Sequence, residues 1–475
     1  MPLQTRDDCD PLDRSFLTDL VAGGVRLTPS QALQLYYEMP LSQLGRWADA
    51  RARHVHGDHI RTYVMDRNIN YTNVCTAKCT FCAFKRDLGD EDAYTLEYSE
   101  IISKIDELVA IGGTQILMQG GMNPELPIEW YEDLLGEIAS AHPGVHVHAF
   151  SPPEIVEFVN FFDPPGAGFR EKVRWVLKRL KAVGLKSIPG GGGEIFAPAV
   201  RSKIGMGKCD AEVWLTVMHV AHELGMNTSA TMMFGHIEGI ADRVHHMGLV
   251  RAWQDRSLAD FQHDGGGRYM AFISWPFQPE NSALGRVPEW GEGKGDDLAG
   301  EFPGDVVAQL DGSGVKSMHP EFGRRVRRAG ASDYLRTQAI SRLMLDNIYS
   351  IGASWVTMGP HVGQLALSCG ANDMGSVMME ENVVSAAGTT YCLSEPVLCH
   401  LIRDAGFIPA QRDNAYELLK VHDGQSSPDL DIEDWSTLRR AKLHVQSGVG
   451  TCGDDCTDEA DSQPVALTAG DRVLP

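Results

Sequence analysis

The sequence has no long apolar segment, and this absence argues against several classes of protein. No run in its 475 residues approaches the roughly 18 apolar residues that a membrane-spanning helix needs. The first ten residues include acidic side chains and lack the apolar core of a secretory signal peptide, so we expect no such signal there. The sequence also contains no internal repeat.

Basic residues are outnumbered by acidic ones. The chain has 42 lysine and arginine residues against 64 aspartate and glutamate residues, and its formal net charge is −22. Because such a charge repels nucleic-acid phosphates, we do not expect the protein to bind DNA or RNA duplexes. A small anionic substrate is still compatible with this charge, because a few buried arginines can dominate a local site.

Cysteines are few, and most of them are far apart in the sequence. Ten cysteines scattered through a chain of this length suit a reducing cytoplasm better than a disulfide framework, so we predict a cytoplasmic protein. Three of them are close together. Cys75, Cys79 and Cys82 form the pattern CxxxCxxC directly after a segment of alternating, strand-like sequence.

The three clustered thiols predict one loop curled around a single metal group. Soft sulfur ligands favour iron–sulfur clusters, zinc or copper(I). Structural zinc sites and ordinary ferredoxin-type clusters take four protein ligands, so three thiolates favour a 4Fe-4S cluster with one iron open to a ligand. The alternative is zinc with a histidine as the fourth ligand, although three-thiolate zinc sites usually consist of two separated ligand pairs.

Predicted strands and helices alternate over residues 66–415. Eight strand–helix units over roughly 300 residues predict an α/β fold of the TIM-barrel type, with its chemistry at the C-terminal ends of the strands. The seventh strand is predicted over residues 353–358 and the eighth unit near residues 365–372. Residues 1–65 are predicted to be a helical N-terminal extension, and residues 416–475 a polar, acidic C-terminal tail.

Three segments interrupt this alternation. Residues 160–170 are predicted to be a surface insertion. Residues 286–330 are predicted to be a long glycine-rich insertion, either a lid or a mobile loop without a role. Cys452 and Cys456 in the tail are either an auxiliary metal-binding pair or part of a disordered acidic segment. The second alternative is favoured because no further ligands lie nearby.

Two glycine-rich segments follow predicted strands. Gln119, Gly120 and Gly121 come after the second strand, where glycines let a backbone approach a ligand closely. A tight turn would give the same pattern. Four glycines at 190–193 precede Glu194, whose carboxylate either binds a ligand or is a solvated group on a flexible loop.

Histidines and late polar residues supply further candidates. His148 and His236 lie at the C-terminal ends of two predicted strands, and a histidine with a near-neutral pKa can act as a base. The alternative for each is a hydrogen-bonding role in the core. A late cluster of polar and small residues is predicted either to bind sugar hydroxyls or to form a capped turn. Its members are Asn372, Asp373, Glu380, Glu381, Asn382 and residues 385–390.

Several segments resemble the radical S-adenosylmethionine (SAM) superfamily. Within it, the chain resembles the enzymes of futalosine-dependent menaquinone biosynthesis and of deazaflavin synthesis over roughly residues 60–415. The matching segments are Asn-Tyr-Thr-Asn-Val-Cys at 70–75, Cys-Thr-Phe-Cys at 79–82, Gln-Gly-Gly at 119–121, Phe-Ser-Pro-Pro-Glu at 150–154, Trp-Pro-Phe-Gln-Pro-Glu-Asn at 275–281 and Glu-Glu-Asn-Val-Val-Ser-Ala-Ala-Gly-Thr-Thr at 380–390.

The resemblance implies a cofactor pair, a reaction and a set of site residues. The cofactors are a 4Fe-4S cluster on the three cysteines and SAM at its open iron. The reaction is radical carbon–carbon bond formation on a nucleoside, with an electron carrier such as flavodoxin or ferredoxin as the reductant. The implied SAM-binding residues are Phe81, Gly120, Gly121 and Glu194, and the substrate candidates are Gln119, Asn372, Asp373 and Glu380.

Overall fold

The computed structural model of the chain describes residues 12–57, 59–291, 321–389 and 391–434, without the side chain of Gln262. Most of the predicted insertion at 286–330, and the pair Cys452 and Cys456, lie outside these residues. No helix in the described ranges is both long enough and apolar enough to cross a membrane.

Strands and helices alternate through most of the described chain. The strands are β1 (Ile60–Val64), β2 (Asp66–Ile69), β3 (Lys78–Cys79), β4 (Gln115–Met118), β5 (His146–Ala149), β6 (Gly205–Met206), β7 (Thr228–Phe234), β8 (Tyr269–Pro276), β9 (Ser350–Gly352), β10 (Asp373–Ser376), β11 (Ile408–Arg412) and β12 (Leu418–Val421). The helices are α1 (Arg14–Ala22), α2 (Pro29–Glu38), α3 (Leu41–His56), α4 (Tyr98–Ala110), α5 (Ile128–Ala141), α6 (Pro152–Phe162), α7 (Phe169–Ala182), α8 (Pro198–Ile204), α9 (Ala211–Glu223), α10 (Ile240–Phe261), α11 (Ala331–Met344), α12 (Trp355–Met358), α13 (Pro360–Ala366) and α14 (Glu395–Asp404).

The parallel strands close into a barrel. β1 and β2 are successive parts of the first strand, and β2 pairs with β4, which pairs with β5. Single bridges through Ser187 and Ile188 supply the fourth strand position between β5 and β7. The ring continues through β8, β9 and β10, and β10 pairs with β1. The predicted TIM-type barrel is confirmed.

The last two barrel strands lie elsewhere than predicted. The seventh is β9, and the predicted segment 353–358 contains the short helix α12 instead. The eighth is β10, which begins at Asp373, just after the predicted segment 365–372; the first two residues of that segment belong to the end of α13. The predicted segment contains the β-branched residues Val356 and Thr357, which are common in strands. The true strand has only three residues, and its pattern is too short to stand out.

The segment 160–170 is a connection between two helices. It spans the end of α6, a loop and the start of α7. We did not predict α6, although its start has a clear signature: Ser151 and Glu154 form a capping box, and a proline occupies the first turn. The segment is therefore a helix–helix junction in the barrel wall.

The N-terminal and C-terminal boundaries of the barrel also differ from the predicted ones. The first barrel strand begins at Ile60, and the predicted tail contains β12, which pairs antiparallel with β11. β11 in turn pairs parallel with β1, on the side away from β10. The C-terminal strands therefore brace the N-terminal end of the barrel.

Candidate active site

The cysteine loop lies at one end of a cavity inside the barrel. Its backbone is fixed by hydrogen bonds from Cys75 N to the Arg86 carbonyl (3.0 Å) and from Thr80 N to the Ile204 carbonyl (2.9 Å). The short ribbon of β3 with β6 holds it at Cys79. The three thiols are free and partly buried, and all of them line this cavity, whose volume is about 470 Å³.

The thiols fit a cluster better than a single zinc ion. Burial raises the pKa of Cys75, and it raises that of Cys79 to about 12, so metal ligation is what would deprotonate them here. Among the described residues, no three His, Cys, Asp or Glu side chains converge closely enough to hold one metal ion. Three thiols that face a shared space without converging are suited to hold separate corners of a larger group.

Glu194 is a buried carboxylate paired with a buried lysine. Its Oε1 lies 2.8 Å from Lys208 Nζ, and the two side chains are 6% and 17% exposed. Burial alone would lower the pKa of Lys208, but Cys79 and Glu194 override this effect and raise it. Lys208 also lies over the Phe81 ring, 5.2 Å from its centroid. This burial rules out the alternative that Glu194 is a solvated group.

The four glycines before Glu194 form a tightly packed turn. A Cβ on Gly191 would lie 2.1 Å from Gln119 Nε2, and one on Gly193 would lie 2.6 Å from the Thr231 carbonyl oxygen. Arg201 donates to the carbonyls of Gly192 and Gly193 at 2.9 and 2.8 Å. The alternative of a flexible loop is therefore wrong.

Gly120 and Gly121 pack directly against the cysteine loop. A Cβ on Gly120 would lie 2.5 Å from the Tyr71 ring, and one on Gly121 would lie 2.0 Å from the Val74 carbonyl oxygen. Glu154 accepts hydrogen bonds from Tyr71 Oη (2.6 Å) and from Gly120 N (3.1 Å), and so locks this contact. The two glycines are thus needed to seat the loop that carries the thiols.

The opposite end of the cavity is polar. Arg412 donates to both oxygens of Asp373, at 2.8 and 3.0 Å. Burial raises the pKa of Asp66, against hydrogen bonds from Ser376 and Gln115 that lower it. All five of these side chains line the cavity, and Asp66, Gln115 and Asp373 are the first residues of their strands. A paired cation and a second carboxylate therefore form the floor of the cavity.

Of the two candidate bases, the structure brings only His148 to the cavity. Its Nδ1 lies 2.6 Å from Ser187 Oγ. Burial, helped by the charges of His146 and Arg412, lowers its pKa to about 3, so the expectation of a near-neutral pKa is wrong. His236 is fully buried outside the cavity lining, and its Nδ1 accepts a hydrogen bond from Ile237 N at 2.8 Å.

The predicted late polar group is split. Asp373 lines the cavity, as does Gln119 from the glycine segment, but Asn372 and Glu380 do not. The Asn372 Oδ1 accepts hydrogen bonds from Arg342 Nη2 at 2.6 Å and from Ile351 N at 2.8 Å. The Glu380 Oε2 accepts from Arg67 Nε at 2.6 Å. For these two residues, internal hydrogen bonding rather than contact with a ligand accounts for the polar side chain.

Lys208, Asn68 and Asn70 are among the cavity residues that were not predicted from the sequence. Lys208 follows a two-residue strand and belongs to no periodic pattern, so nothing in the sequence singled it out. Asn68 and Asn70 had a usable signal. They alternate with Asp66 along the first strand, and residues two apart on a strand face the same side.

Two family models match the chain. The model described as the radical SAM superfamily matches residues 69–250. The model described as the CofH/MqnC C-terminal region matches residues 318–424.

Curated relatives match most of the chain. A cyclic dehypoxanthine futalosine synthase from Halalkalibacterium halodurans is 37% identical, over 88% of this chain and 98% of the relative. A protein of the same name from Streptomyces coelicolor is 36% identical, over 88% of this chain and 92% of the relative. An aminodeoxyfutalosine synthase from Thermus thermophilus is 34% identical, over 86% of this chain and 96% of the relative.

Solved structures share the fold at much lower identity. HydG, a maturase of the [FeFe]-hydrogenase, aligns with a TM-score of 0.56 and 14% identity, over 85% of this chain and 76% of that one. The methylornithine synthase PylB aligns with a TM-score of 0.54 and 15% identity, over 83% of this chain and 97% of that one. At this identity, both similarities concern the fold alone.

Proposed function

The chain belongs to the radical SAM superfamily, and we propose that within it the protein is a cyclic dehypoxanthine futalosine synthase of menaquinone biosynthesis. As a superfamily member it is an enzyme that uses a 4Fe-4S cluster and SAM. The observation that carries the finer assignment is the match to two relatives of that name, of whose lengths the chain covers 98% and 92%.

The proposed reaction closes a ring within one substrate molecule. When bound, the cluster supplies one electron to SAM, which releases a 5′-deoxyadenosyl radical. The ribose C4′ hydrogen passes to that radical, and C4′ then bonds to the tethered benzoate ring. As the ring regains aromaticity it loses a proton and an electron, and that electron would return to the oxidised cluster. The product is therefore two hydrogen atoms lighter than dehypoxanthine futalosine.

The protein's own residues bind, orient and exclude water. Cys75, Cys79 and Cys82 would hold the cluster at the C-terminal end of the barrel. Gly120 and Gly121 keep the cysteine loop seated, and we propose that their carbonyls face the SAM amino group. The cavity is lined mainly by apolar and backbone groups between this loop and the polar floor, which suits a radical that must react with a nearby substrate and not with solvent.

We propose that the Glu194–Lys208 pair orients SAM. The pair lines the cavity beside the cysteine loop, and it is charged and buried, so its two side chains have few alternative positions. The Lys208 ammonium contacts Glu194 and lies over the Phe81 ring. We therefore propose that Phe81 belongs to the same cofactor pocket.

We also propose that His148 receives the proton lost from the substrate ring. It is the candidate base that lines the cavity, and its low pKa keeps the ring neutral and able to accept a proton. A pKa of about 3 makes His148 a weak base. The species that gives up the proton would be a radical intermediate, which is far more acidic than an ordinary arene.

The competing assignment is a different carbon–carbon bond-forming enzyme of the same group. An aminodeoxyfutalosine synthase and a 5-amino-6-(D-ribitylamino)uracil–L-tyrosine 4-hydroxyphenyl transferase are 34% and 35% identical to the chain, close to the values above. The transferase, by its name, acts on two separate substrates, and the synthase is named for a different product, whereas the proposed reaction needs one substrate. Substrate choice therefore discriminates among the three.

The test offers each substrate set to the same preparation. Anaerobically reconstituted, reduced protein is incubated with SAM and dehypoxanthine futalosine, and the products are analysed by mass spectrometry. We expect a product two hydrogen atoms lighter than the substrate, together with deoxyadenosine. Turnover of the substrates of either alternative enzyme, without this product, would contradict the proposal.

A protein of another class would carry a cluster without using SAM. An electron carrier needs a fourth protein ligand, and its spectrum would not respond to SAM. We propose instead that a carrier such as flavodoxin or ferredoxin delivers the electron to this enzyme in the cytoplasm. A change in the electron paramagnetic resonance spectrum of the reduced protein on adding SAM is expected, and an unchanged spectrum would favour the carrier.

A further inference from the structure

The first barrel strand presents three polar side chains to the cavity. Asp66, Asn68 and Asn70 alternate along the chain and all line the cavity, from the floor toward the cysteine loop. Polar groups inside a barrel require partners, because burying an unpaired one is costly. The hydrogen bonds of these three residues can therefore be checked one by one.

Two of the three are satisfied by the protein. Both Asp66 oxygens accept hydrogen bonds, one from Ser376 Oγ and one from Gln115 Nε2 at 2.9 Å. The Asn70 Nδ2 donates to the Gln119 carbonyl at 3.0 Å, and its Oδ1 accepts from Asn382 Nδ2 at 3.1 Å. Neither side chain needs a ligand to complete its hydrogen bonding.

Asn68 is left with an unused acceptor. Its Nδ2 donates to Glu381 Oε2 at 2.8 Å, whereas its Oδ1 has no hydrogen-bond partner among the described residues. The residue is only 6% exposed. Of the described side chains that line the cavity, Asn68 is the one with such an unsatisfied buried atom.

The orientation of the Asn68 amide is fixed by Glu381. The Glu381 Oε1 accepts hydrogen bonds from the backbone nitrogens of Val383 and Val384, at 2.7 and 2.9 Å, so this carboxylate is held in place. Burial raises the pKa of Glu381, against hydrogen bonds from Val384 N, Asn68 and Val383 N that lower it. In its ionised form the carboxylate has no proton to donate, so the amide nitrogen faces it and the amide oxygen faces away. The unused Oδ1 is therefore a built feature of the site.

We propose that Asn68 and Glu381 bind a hydroxyl group of the substrate ribose and position the sugar for hydrogen abstraction. This inference rests on the proposed function and adds a positioning pair to it. The Asn68 Oδ1 calls for a donor, and the neighbouring Glu381 carboxylate repels anions, so the pair would reject the carboxylate end of the substrate. A hydroxyl can donate to Oδ1, and a neighbouring hydroxyl can donate to Glu381 Oε2.

The place of Asn68 in the chain makes it suited to positioning. It lies on the strand that runs directly into the loop carrying Cys75, seven residues later. The same strand would therefore hold both the sugar, through Asn68, and the loop that carries the radical source. Positioning of this kind affects the rate of the bound substrate as well as its affinity.

The test is a binding cycle that combines one side-chain change with one substrate change. Dissociation constants are measured anaerobically, with SAM present, for dehypoxanthine futalosine and for analogues that each lack one ribose hydroxyl. The proteins are the reconstituted wild type, N68A and the control N347A. Asn347 also has an unpartnered buried Oδ1, but it lies outside the cavity lining.

For the wild type, removing one particular hydroxyl should weaken binding about tenfold, the size expected for one lost hydrogen bond. N68A should bind the intact substrate about tenfold more weakly, and it should no longer distinguish that analogue. N347A should keep the wild-type ratio of the dissociation constants for the analogue and for the intact substrate. If this ratio in N68A equals the wild-type ratio for every analogue, the inference is overturned.

Two further readouts keep the outcomes distinct. The variant N68S, which has a smaller polar side chain, should also fail to distinguish the analogue from the intact substrate. The iron content of each variant reports whether it is folded and carries the cluster. Cyclisation is assayed in parallel. Wild-type protein that binds and discriminates but forms no cyclic product contradicts the proposed function alone, whereas wild-type protein that does not bind the substrate overturns both.

Discussion

The three clustered cysteines are buried in a way that favours binding to a metal group. The three clustered thiols are partly buried, and burial raises the pKa of Cys75 and Cys79, so these side chains are poor free thiolates and good ligands once a metal replaces the proton. Cys392 differs, because its thiol only donates to the Met378 carbonyl at 3.3 Å and does not line the cavity.

This difference predicts the behaviour of a pair of cysteine variants. Cys79→Ala should abolish deoxyadenosine formation, because two thiolates do not hold the cluster in a form that binds SAM. Cys392→Ala should retain it. Deoxyadenosine is quantified by chromatography after anaerobic reconstitution, and full activity in Cys79→Ala would rule out its assignment as a ligand.

The Glu194–Lys208 pair predicts a strong, non-additive effect on stability. Lys208→Met leaves a buried carboxylate unpaired and should lower the free energy of unfolding by about 3 to 5 kcal/mol. The double variant with Glu194→Gln should lose less than the sum of the two single variants, because neither charge is then stranded. Urea unfolding of the cluster-free protein measures all three.

An exposed pair supplies the control. Lys172 contacts Asp163 at 2.5 Å, but the Asp163 side chain is 86% exposed. Lys172→Met should therefore have little effect on urea unfolding. Equal losses in Lys208→Met and Lys172→Met would contradict the view that burial makes the first pair important.

At the scale of elements, the cysteine loop depends on the turn that follows β4. A Cβ at Gly121 would lie 2.0 Å from the Val74 carbonyl oxygen and 3.0 Å from Cys75 Cβ. Gly121→Ala should displace the loop and sharply reduce both bound iron and deoxyadenosine formation. Gly136, inside α5, has open space around its Cα, so Gly136→Ala should keep both and gain about 0.5 to 1 kcal/mol of stability.

Iron analysis after reconstitution checks this pair of glycine variants. Wild-type iron content in Gly121→Ala would show that the loop is seated by other contacts. A loss in Gly136→Ala would show that the effect does not depend on where the Cβ points.

The regular elements were predicted well where the pattern was long. The sequence predicts a helix over residues 128–141, and α5 has these bounds. Its apolar residues repeat over fourteen residues, and a strand precedes it. The seventh and eighth strands failed because they have only three and four residues. Patterns that short fit a helix end as readily as a strand.

The site could be predicted where its residues lie close together in the sequence and form a motif. The cysteines and the glycine segments are each contiguous, so the sequence located them. Lys208 and Arg412 reach the cavity through tertiary packing of a short ribbon and of a C-terminal strand. Nothing in the local sequence indicates that these two side chains reach the cavity. The local sequence also does not indicate that Glu380 pairs with Arg67 and so lies outside the cavity lining.

At the scale of the whole molecule, several histidines are buried in neutral form. Burial lowers the pKa of His56, His148 and His222 to about 3. The unfolded chain binds protons on these rings below their ordinary pKa of 6.5, whereas the folded protein does not until about pH 3. Their contribution to stability is therefore complete above pH 6.5 and is lost as the pH falls toward 3.

This linkage predicts how stability changes with pH in one variant. His222 is held by Ser257 Oγ at 2.7 Å and Thr228 Oγ1 at 2.8 Å, and glutamine can replace both contacts. In His222→Gln, the fall in the free energy of unfolding between pH 7.5 and 5 should be shallower by up to about 1.4 kcal/mol per pH unit. The exposed His361→Gln should keep the wild-type slope, and a wild-type slope in His222→Gln would contradict the account.

In the proposed function, a radical source would lie at one end of the barrel cavity and a sugar would be bound beneath it. The most direct measurement follows the hydrogen that moves between them. Reduced, reconstituted protein is given SAM and dehypoxanthine futalosine carrying deuterium at the ribose C4′. We expect the deuterium in the deoxyadenosine and none of it in the cyclic product. Deoxyadenosine free of deuterium, or none formed, would contradict the account.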